Sequence, residues 1–334
     1  MDNFFLTLIF GFIQWITILV LSPFVVGFMT GVRQLFCKQT PCRFFQPFSQ
    51  PYRNLNKLWK KKNQSAQDNK WLKSYGPLAS LVAIILAASM IPLFSVKTVG
   101  SLFWGDDLFL FFGLLLLSKF IQSMISLDAP SCFSGMGTAR VMLVHSITEP
   151  VFFLIILGLG LNANSTSISE ILTTISFKDT IIVQFPLIII MLSLLLNILM
   201  ECGRIPFDNP LTHLELTMIE KGARIERSGI DLAFAEFSEM LKMTILFLLV
   251  SSLICSFAGK PGTILSFIFA FKEIFNNLFF LMNSVIFFFL IFLIQFFIEL
   301  FWPRYRVGDL PNKAAIAKGL TFFALITMII TMVK

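Results

Sequence analysis

The 334-residue chain is far more hydrophobic than a soluble protein of its length. Hydrophobic residues make up 56% of it, and charged residues make up 13%, about half the share expected of a soluble domain. Mean hydropathy is +0.83, and phenylalanine alone occupies 41 positions. This composition excludes a pair of soluble domains and predicts an all-α polytopic membrane protein.

The charge-free stretches predict the membrane spans in chain order. A bilayer core of about 30 Å needs about 20 apolar residues per helix. The predicted spans are 3–32, 74–96, 109–127, 141–161, 181–200, 243–257, 274–298 and 319–333. The sixth is expected to begin earlier, near residue 232. We therefore predict eight transmembrane helices in a single transmembrane domain over 1–334.

The distribution of lysine and arginine predicts the orientation of these spans. Ten basic residues against one acid lie between the first two spans, so that side is predicted to be cytoplasmic. The cytoplasmic loops are then 33–73, 128–140, 201–242 and 299–318, with the large ones after helices 1 and 5. Both termini fall on the non-cytoplasmic side. The net charge of +7 is then explained by topology and anionic lipid headgroups, with no nucleic acid as partner.

Histidine and cysteine are too sparse for several cofactor classes. The chain has two histidines, His145 and His213, a number that does not favour bis-histidine haem ligation or a histidine-rich metal centre. Its five cysteines include no Cys-x-x-Cys pair, so we expect no metal site and no iron–sulfur cluster in this chain. There is also no glycine-rich phosphate loop, so ATP is not the expected energy source.

Two charged residues lie inside predicted spans, where a charge costs about 2.5–3.5 kcal/mol on insertion scales. Glu149 is followed by Pro150, which weakens the helix at that point. A carboxyl group there can hold a proton, exchange it with water or coordinate a cation, or it can bond a neighbouring helix in a structural role. Lys119 is either the partner of Glu149 or a lysine whose stem extends to the membrane interface.

The region from Glu201 to Lys242 is the densest in acids. Glu201, Arg204 and Asp208 are spaced for one helical face, but Pro206 predicts that the helix unwinds and leaves them as a compact polar cluster. Asn209-Pro210 resembles an N-cap followed by the first residue of a new helix. Eight acids lie in this region: Glu201, Asp208, Glu215, Glu220, Glu226, Asp231, Glu236 and Glu239.

The last of these acids lead into the sixth span. Glu236, Glu239 and Lys242 recur every third residue at the point where that span enters the membrane. A hydrated loop with salt-bridged helices would explain the charges alone. A stepwise series of carboxylates entering a span favours a proton path instead.

These residues carry a resemblance to a known family. Glu201-Cys-Gly-Arg-Ile-Pro-Phe-Asp208 resembles the Glu-x-x-Arg-x-Pro-Phe-Asp signature of the membrane protein that bears the peripheral arm in NADH-quinone oxidoreductase, respiratory complex I. The continuation from Asn209, with Ser228-Gly229, is closer to formate hydrogenlyase subunit 4 (hydrogenase-4 component C). Further similar segments are Gln50–Arg53 with Lys57, Phe133–Gly137 with Arg140 and Glu149-Pro150, and Glu299 with Arg304–Val307. Arg227 stands where the family often has tyrosine.

The resemblance implies a non-catalytic membrane-anchor and energy-coupling subunit of a complex I-related respiratory or hydrogenase complex. Proteins of this kind carry no redox cofactor, because the nickel–iron centre and the iron–sulfur clusters belong to partner subunits. The implied partners are a hydrogenase-like large subunit, an iron–sulfur small subunit and antiporter-like membrane subunits. The implied location is the prokaryotic cytoplasmic (inner) membrane.

The resemblance also assigns expected roles to residues, none of them catalytic. The predicted proton or ion path comprises Glu149, Glu201, Arg204, Asp208, Glu215, Glu220, Glu226, Glu236, Glu239 and Lys119. The predicted docking residues for the peripheral arm are Tyr52, Arg53, Lys57, Arg140, Arg304 and Arg306.

Three other functions remain open at this point. The chain could form the quinone chamber of a NADH-quinone oxidoreductase-type complex. It could be an ion or inorganic-carbon transport subunit of an assembly without redox chemistry. A stand-alone secondary transporter with Glu149 at its substrate site is a different class, which would predict inverted repeats that are not apparent in this sequence.

Overall fold

The computed structural model describes residues 2–37, 46–63, 70–93, 98, 100, 105–175, 181–208, 218–257, 272–303, 305 and 310–333. Within these ranges the regular structure is helical, apart from an isolated bridge between Asp107 and Ser167. The helices are α1 (Asp2–Cys37), α2 (Gln46–Trp59), α3 (Lys70–Ala88), α4 (Leu108–Leu127), α5 (Cys132–Ala163), α6 (Ile168–Thr174), α7 (Ile181–Glu201), a 3₁₀ turn (Gly222–Arg224), α8 (Gly229–Phe257), α9 (Lys272–Phe301) and α10 (Leu310–Val333).

The all-α prediction is confirmed, and long apolar helices occur where the charge-free stretches predicted them. Five described helices are long and apolar enough to cross a membrane: α1, α4, α5, α8 and α9. The apolar stretches of α3, α7 and α10 are shorter, at 10–17 residues. The chain thus has the helices of a multi-pass membrane protein, while the count of eight spans and their orientation stay predictions.

Helix α8 lies at the centre of the bundle. It packs against α1, α2, α3 and α9, and every side chain from 241 to 253 is buried. By contrast, α9 and α10 expose many large apolar side chains, among them Phe297 and Phe322. Exposed apolar surface of this kind is what a helix presents to lipid or to a neighbouring membrane subunit.

Helix α2 was missed in the sequence, which predicted only a cytoplasmic loop over 33–73. One face of α2 packs on α1 and α8, where Pro47 and Pro51 are buried, and the opposite face exposes charged residues. The close approach to α1 depends on Gly27, because a Cβ atom there would lie 2.8 Å from the carbonyl oxygen of Phe48. Helix α2 therefore lies directly against α1.

The other three predicted loops are also partly helical. Helix α5 begins at Cys132, α8 begins at Gly229 and α10 begins at Leu310, so each starts inside a predicted loop. Polar residues in the first turns of a helix give no apolar signal, so these helix starts could not be read from the charge-free stretches, and the loop bounds 128–140, 201–242 and 299–318 stay predictions. The earlier start predicted for the sixth span is confirmed.

Candidate functional site: a buried ionic network beside a polar cavity

The site begins where α7 ends. The last residue of that helix is Glu201, and residues 202–208 form turns, as the proline at position 206 predicted. Segment 209–217 lies outside the described residues. The predicted cap at Asn209-Pro210 and the path residue Glu215 fall within that segment.

Lys242 of α8 lies between two carboxylates. Its Nζ atom is 3.4 Å from Glu201 Oε1 and 3.5 Å from Glu220 Oε1, and it donates a hydrogen bond of 2.6 Å to the carbonyl oxygen of Glu201. The side chain of Lys242 is 2% exposed. An ammonium group this deeply buried is stable only when its hydrogen-bond donors are used, and here carboxylate and carbonyl oxygens accept them.

Lys119 extends the network to α4. Its ammonium group forms an ion pair with Glu220, and both side chains are largely buried. The predicted pairing of Lys119 with Glu149 is therefore wrong, because Glu220 already supplies the countercharge. The alternative of a lysine stretched toward the membrane interface is also wrong, since the side chain is 7% exposed.

Glu220 is surrounded by cations. Burial alone would raise the pKa of its carboxyl group, but Lys119, Lys242 and Arg224 outweigh burial and hold that pKa well below its usual range. A carboxylate in this state keeps its charge at neutral pH and binds no proton. Glu220 thus lies between Lys119, Lys242 and Arg224, and its place in the predicted proton or ion path stays a prediction.

His145 carries the network to α5, and sequence reasoning overlooked it. Its Nδ1 atom lies 3.2 Å from Glu201 Oε2. Thr148 donates a hydrogen bond of 3.0 Å to the same carboxylate oxygen. One helical turn after His145, Glu149 is exposed on the surface of α5. His145 and Glu149 are four residues apart and therefore share a face of the helix. This spacing could have predicted from the sequence that His145 belongs to the same site as Glu149.

Arg204 and Asp208 fix the turn segment to other parts of the bundle. Arg204 Nη1 is 3.8 Å from Glu299 Oε1 at the end of α9, and its Nη2 atom contacts Met243 Sδ at 3.0 Å. Asp208 Oδ2 accepts a hydrogen bond of 3.3 Å from the backbone N–H of Ile219. The signature residues thus attach the segment to α8, to α9 and to the stretch of chain before the 3₁₀ turn.

Two arginines stabilise the segment that precedes α8. Arg224 forms ion pairs with Glu239 and, at 3.6 Å, with Glu220. Arg227 donates hydrogen bonds to the carbonyl oxygen of Gln122 (2.6 Å) and to Ser126 Oγ (2.9 Å) on α4. Burial, with a smaller effect of Arg224, lowers the pKa of Arg227 to about 9. Both arginines remain charged at neutral pH.

A cavity of about 650 Å³ opens beside this network. Its apolar wall comes from α1 and α8, and its polar wall carries charges of both signs. The charged lining residues are Arg204, Asp208, Glu220, Lys221, Arg224, Arg227, Glu236, Glu239, Lys242 and Glu299. Within the described residues, no group of three His, Cys, Asp or Glu side chains could hold a metal ion.

The remaining predicted residues that the structure describes do not line this cavity. Glu226 is partly buried and does not line the cavity. Tyr52 donates a hydrogen bond of 2.5 Å to the carbonyl oxygen of Val20, while Arg53 and Lys57 are exposed on α2. Arg140 donates a hydrogen bond of 3.1 Å to the carbonyl oxygen of Met218. The docking candidates Arg304 and Arg306 lie outside the described residues.

Fold and site together define a class: a multi-pass helical membrane protein with a buried ionic network beside a polar cavity. Residues 12–332 match the family model described as NADH dehydrogenase. The chain belongs to this family, which includes the arm-bearing membrane protein of complex I and its relatives.

Individual relatives agree with this assignment. The chain is 28% identical over 241 residues to hydrogenase-4 component C of Escherichia coli (strain K12), covering 71% of this chain and 72% of that protein. It is 25% identical over 197 residues to formate hydrogenlyase subunit 4 of the same organism, covering 59% and 62%. A chain in the structure of the membrane-bound sulfane sulfur reductase, an archaeal respiratory membrane complex, has the same fold, with a TM-score of 0.70, 18% identity and coverage of 96% and 99%.

Cys202 provides a chemical test of the site. Burial raises the pKa of its thiol to about 11, partly offset by Lys242. At pH 8 we expect a thiolate fraction about 100-fold below that of an ordinary thiol, and maleimide labelling that rises about tenfold per pH unit. Labelling is measured by mass spectrometry in the intact complex, with the exposed Cys132 as internal control. Rates that level off for both cysteines at the same pH would contradict the raised pKa.

Proposed function

We propose that this chain is the membrane-anchor and energy-coupling subunit of a complex I-related respiratory or hydrogenase complex. The observation that carries the proposal is the continuous series of charged groups from the cavity to the surface of α5. Ion pairs join, in order, Glu239, Arg224, Glu220, Lys242 and Glu201. His145 Nδ1 lies 3.2 Å from Glu201 Oε2, and Glu149 lies one turn beyond His145. Charges this numerous are costly inside a membrane bundle, which supports a role in ion movement.

The partners follow from the family and from the surface of the chain. The names of the two Escherichia coli relatives refer to a hydrogenase and to a formate hydrogenlyase. We infer a hydrogenase-like large subunit and an iron–sulfur small subunit on the cytoplasmic side, with antiporter-like subunits in the membrane. The nickel–iron centre and the clusters would belong to those partners. The exposed side chains of Arg53 and Lys57 on α2 are suited to docking an acidic surface of the peripheral arm.

In this proposal the network ends at Glu149, on the surface of α5, where another membrane subunit would contact it. It is exposed on the surface of α5, a predicted membrane span, so a partner side chain or water must solvate its carboxyl group in the assembled complex. A redox event in the peripheral arm would change the charge at the cavity. The charged groups between the cavity and Glu149 would pass that change on electrostatically to Glu149, where a proton would bind or leave.

Neutral substitutions test this coupling role. We expect Glu149→Gln and Asp208→Asn to leave assembly and electron transfer nearly intact and to reduce ion translocation at least tenfold. Each replaces a titratable group by an isosteric amide. Translocation is measured in inverted membrane vesicles by quenching of a pH-sensitive dye, and electron transfer is measured in parallel. Glu170→Gln, at an exposed carboxylate on α6, is the control. Wild-type translocation in both variants would contradict the proposed path.

A quinone chamber is the second candidate, favoured by the composition of the cavity wall. Val26, Met29 and Met240 give the cavity an apolar side next to its charged one, which suits an amphiphilic headgroup. A photoreactive quinone analogue tests this alternative. Labelling of α1 and α8 that excess quinone suppresses would support it, and a purified complex without labelling would contradict it. A monomer that transports ions by itself in liposomes would instead support the transporter class.

A further inference from the structure

A second, much smaller cavity lies between α4 and the segment that carries Arg227. Its volume is about 10 Å³. Both polar and charged side chains surround it: Lys119, Gln122, Ser123, Ser126, Glu220, Arg224 and Arg227, together with Val141 and Ala223. A volume of about 10–15 Å³ is what a single water molecule needs, and it is too small for a carboxylate, a phosphate or a quinone headgroup.

Arg227 supplies an independent reason for a ligand at this place. Its Nη2 atom is used by Gln122 and Ser126, as described above. Its Nε and Nη1 atoms are buried, and they have no hydrogen-bond partner within the described part of the chain. The residue is 5% exposed. A buried guanidinium that leaves donors unused bears a large desolvation cost, and ordered water is the usual acceptor at such sites.

We propose that one ordered water occupies this cavity and joins Arg227 to the ionic network. The water accepts a hydrogen bond from Arg227 and donates one to the carboxylate of Glu220. Among the described residues that line this cavity, Glu220 is the one carboxylate. The water would complete the set of donors around Glu220, whose direct partners are Lys119, Arg224 and Lys242.

The consequence is that Arg227 holds Glu220 in place without touching it. Glu220 positions Lys119 and Lys242, so Arg227 is a positioning residue that acts through the water. This inference concerns the hydration of the network and holds whether or not the complex translocates ions. Failure of the water site and failure of the coupling function are therefore distinguishable.

The test is cryo-electron microscopy of the intact complex in lipid nanodiscs, at a resolution that shows ordered waters. We expect a peak about 2.7–3.2 Å from a nitrogen of Arg227 and from an oxygen of Glu220. In Arg227→Met, which keeps an unbranched apolar stem and removes the donors, we expect the peak to disappear. Ser251→Ala is the control, since it removes a buried hydroxyl of α8 that bonds the carbonyl oxygen of Leu248 outside this cavity and should leave the peak unchanged.

Two outcomes would overturn the inference. One is a wild-type map that shows other waters of the network and no peak in this cavity. The other is a map in which Nε and Nη1 of Arg227 bond protein groups directly. If Arg227→Met fails to assemble, the wild-type map alone decides between presence and absence of the water.

Discussion

Replacing Lys242 by methionine should abolish most of the assembled complex. Lys242 is fully enclosed and lies between Glu201 and Glu220, so methionine fills a similar volume but leaves the carboxylates without their shared cation. Removing one partner of a buried ion pair typically costs about 3–5 kcal/mol, a large fraction of the stability of most domains. The measurement is the yield of intact complex on native gels, with its thermal unfolding midpoint.

The origin of this loss can be tested with a second substitution. Glu220 retains Lys119 and Arg224 in the Lys242→Met variant, whereas the Glu201 carboxylate retains only the imidazole of His145 and the hydroxyl of Thr148 among the contacts described above. Glu201→Gln should therefore restore part of the yield when combined with Lys242→Met, because it removes the uncompensated charge. Lys60→Met is the matched control at an exposed lysine near the end of α2, with no expected loss. A double variant as unstable as Lys242→Met would show that the uncompensated charge of Glu201 is not the cause, which leaves the lost bonds to Glu220 and to the carbonyl oxygen of Glu201.

The sequence predicted the main helices because each depends on its own residues. A charge-free stretch of sufficient length has few alternatives to a membrane helix, since every backbone polar group must be satisfied internally. Helix α2 lacks that signal: it is polar and basic, contains Pro51, and owes its position to the close contact with Gly27 of α1. A contact between separate elements leaves no periodic pattern in the sequence.

The residues of the candidate site divide in the same way into those that the sequence could predict and those that depend on contacts between separate elements. Glu201, Arg204 and Asp208 could be found because motif and spacing lie within one short segment. Their partners could not, because Lys119 and Glu220 are 101 residues apart, and Lys242 reaches Glu201 across the bundle. The sequence placed charges that need partners in the membrane. Which charge neutralises which depends on how the helices pack, and this packing surrounds Glu220 with Lys119, Lys242 and Arg224.

Gly137→Ala should disrupt the site without removing any charge. A Cβ atom at Gly137 of α5 would lie 2.4 Å from the backbone N of Ala223 and 2.4 Å from the backbone carbonyl carbon of Gly222. Backbone atoms cannot move aside by changing rotamer, so the 3₁₀ turn must shift as a unit. That turn follows Glu220 and contains Arg224, which pairs with Glu220 and Glu239. We expect overpacking to cost about 1–3 kcal/mol or more and the ion pairs of Arg224 to loosen.

The first turn of α5 offers a matched control, for which we expect the opposite change in stability. Gly135 has open space around the position of a Cβ atom, with nothing within 4 Å. Alanine favours a helix over glycine by about 1 kcal/mol, so Gly135→Ala should stabilise the complex slightly or leave it unchanged. Thermal unfolding midpoints and ion translocation in vesicles distinguish the two variants. If Gly137→Ala behaves like Gly135→Ala in both measurements, the close contact between α5 and the turn does not position Arg224 and Glu220, and the network must be held by its ion pairs alone.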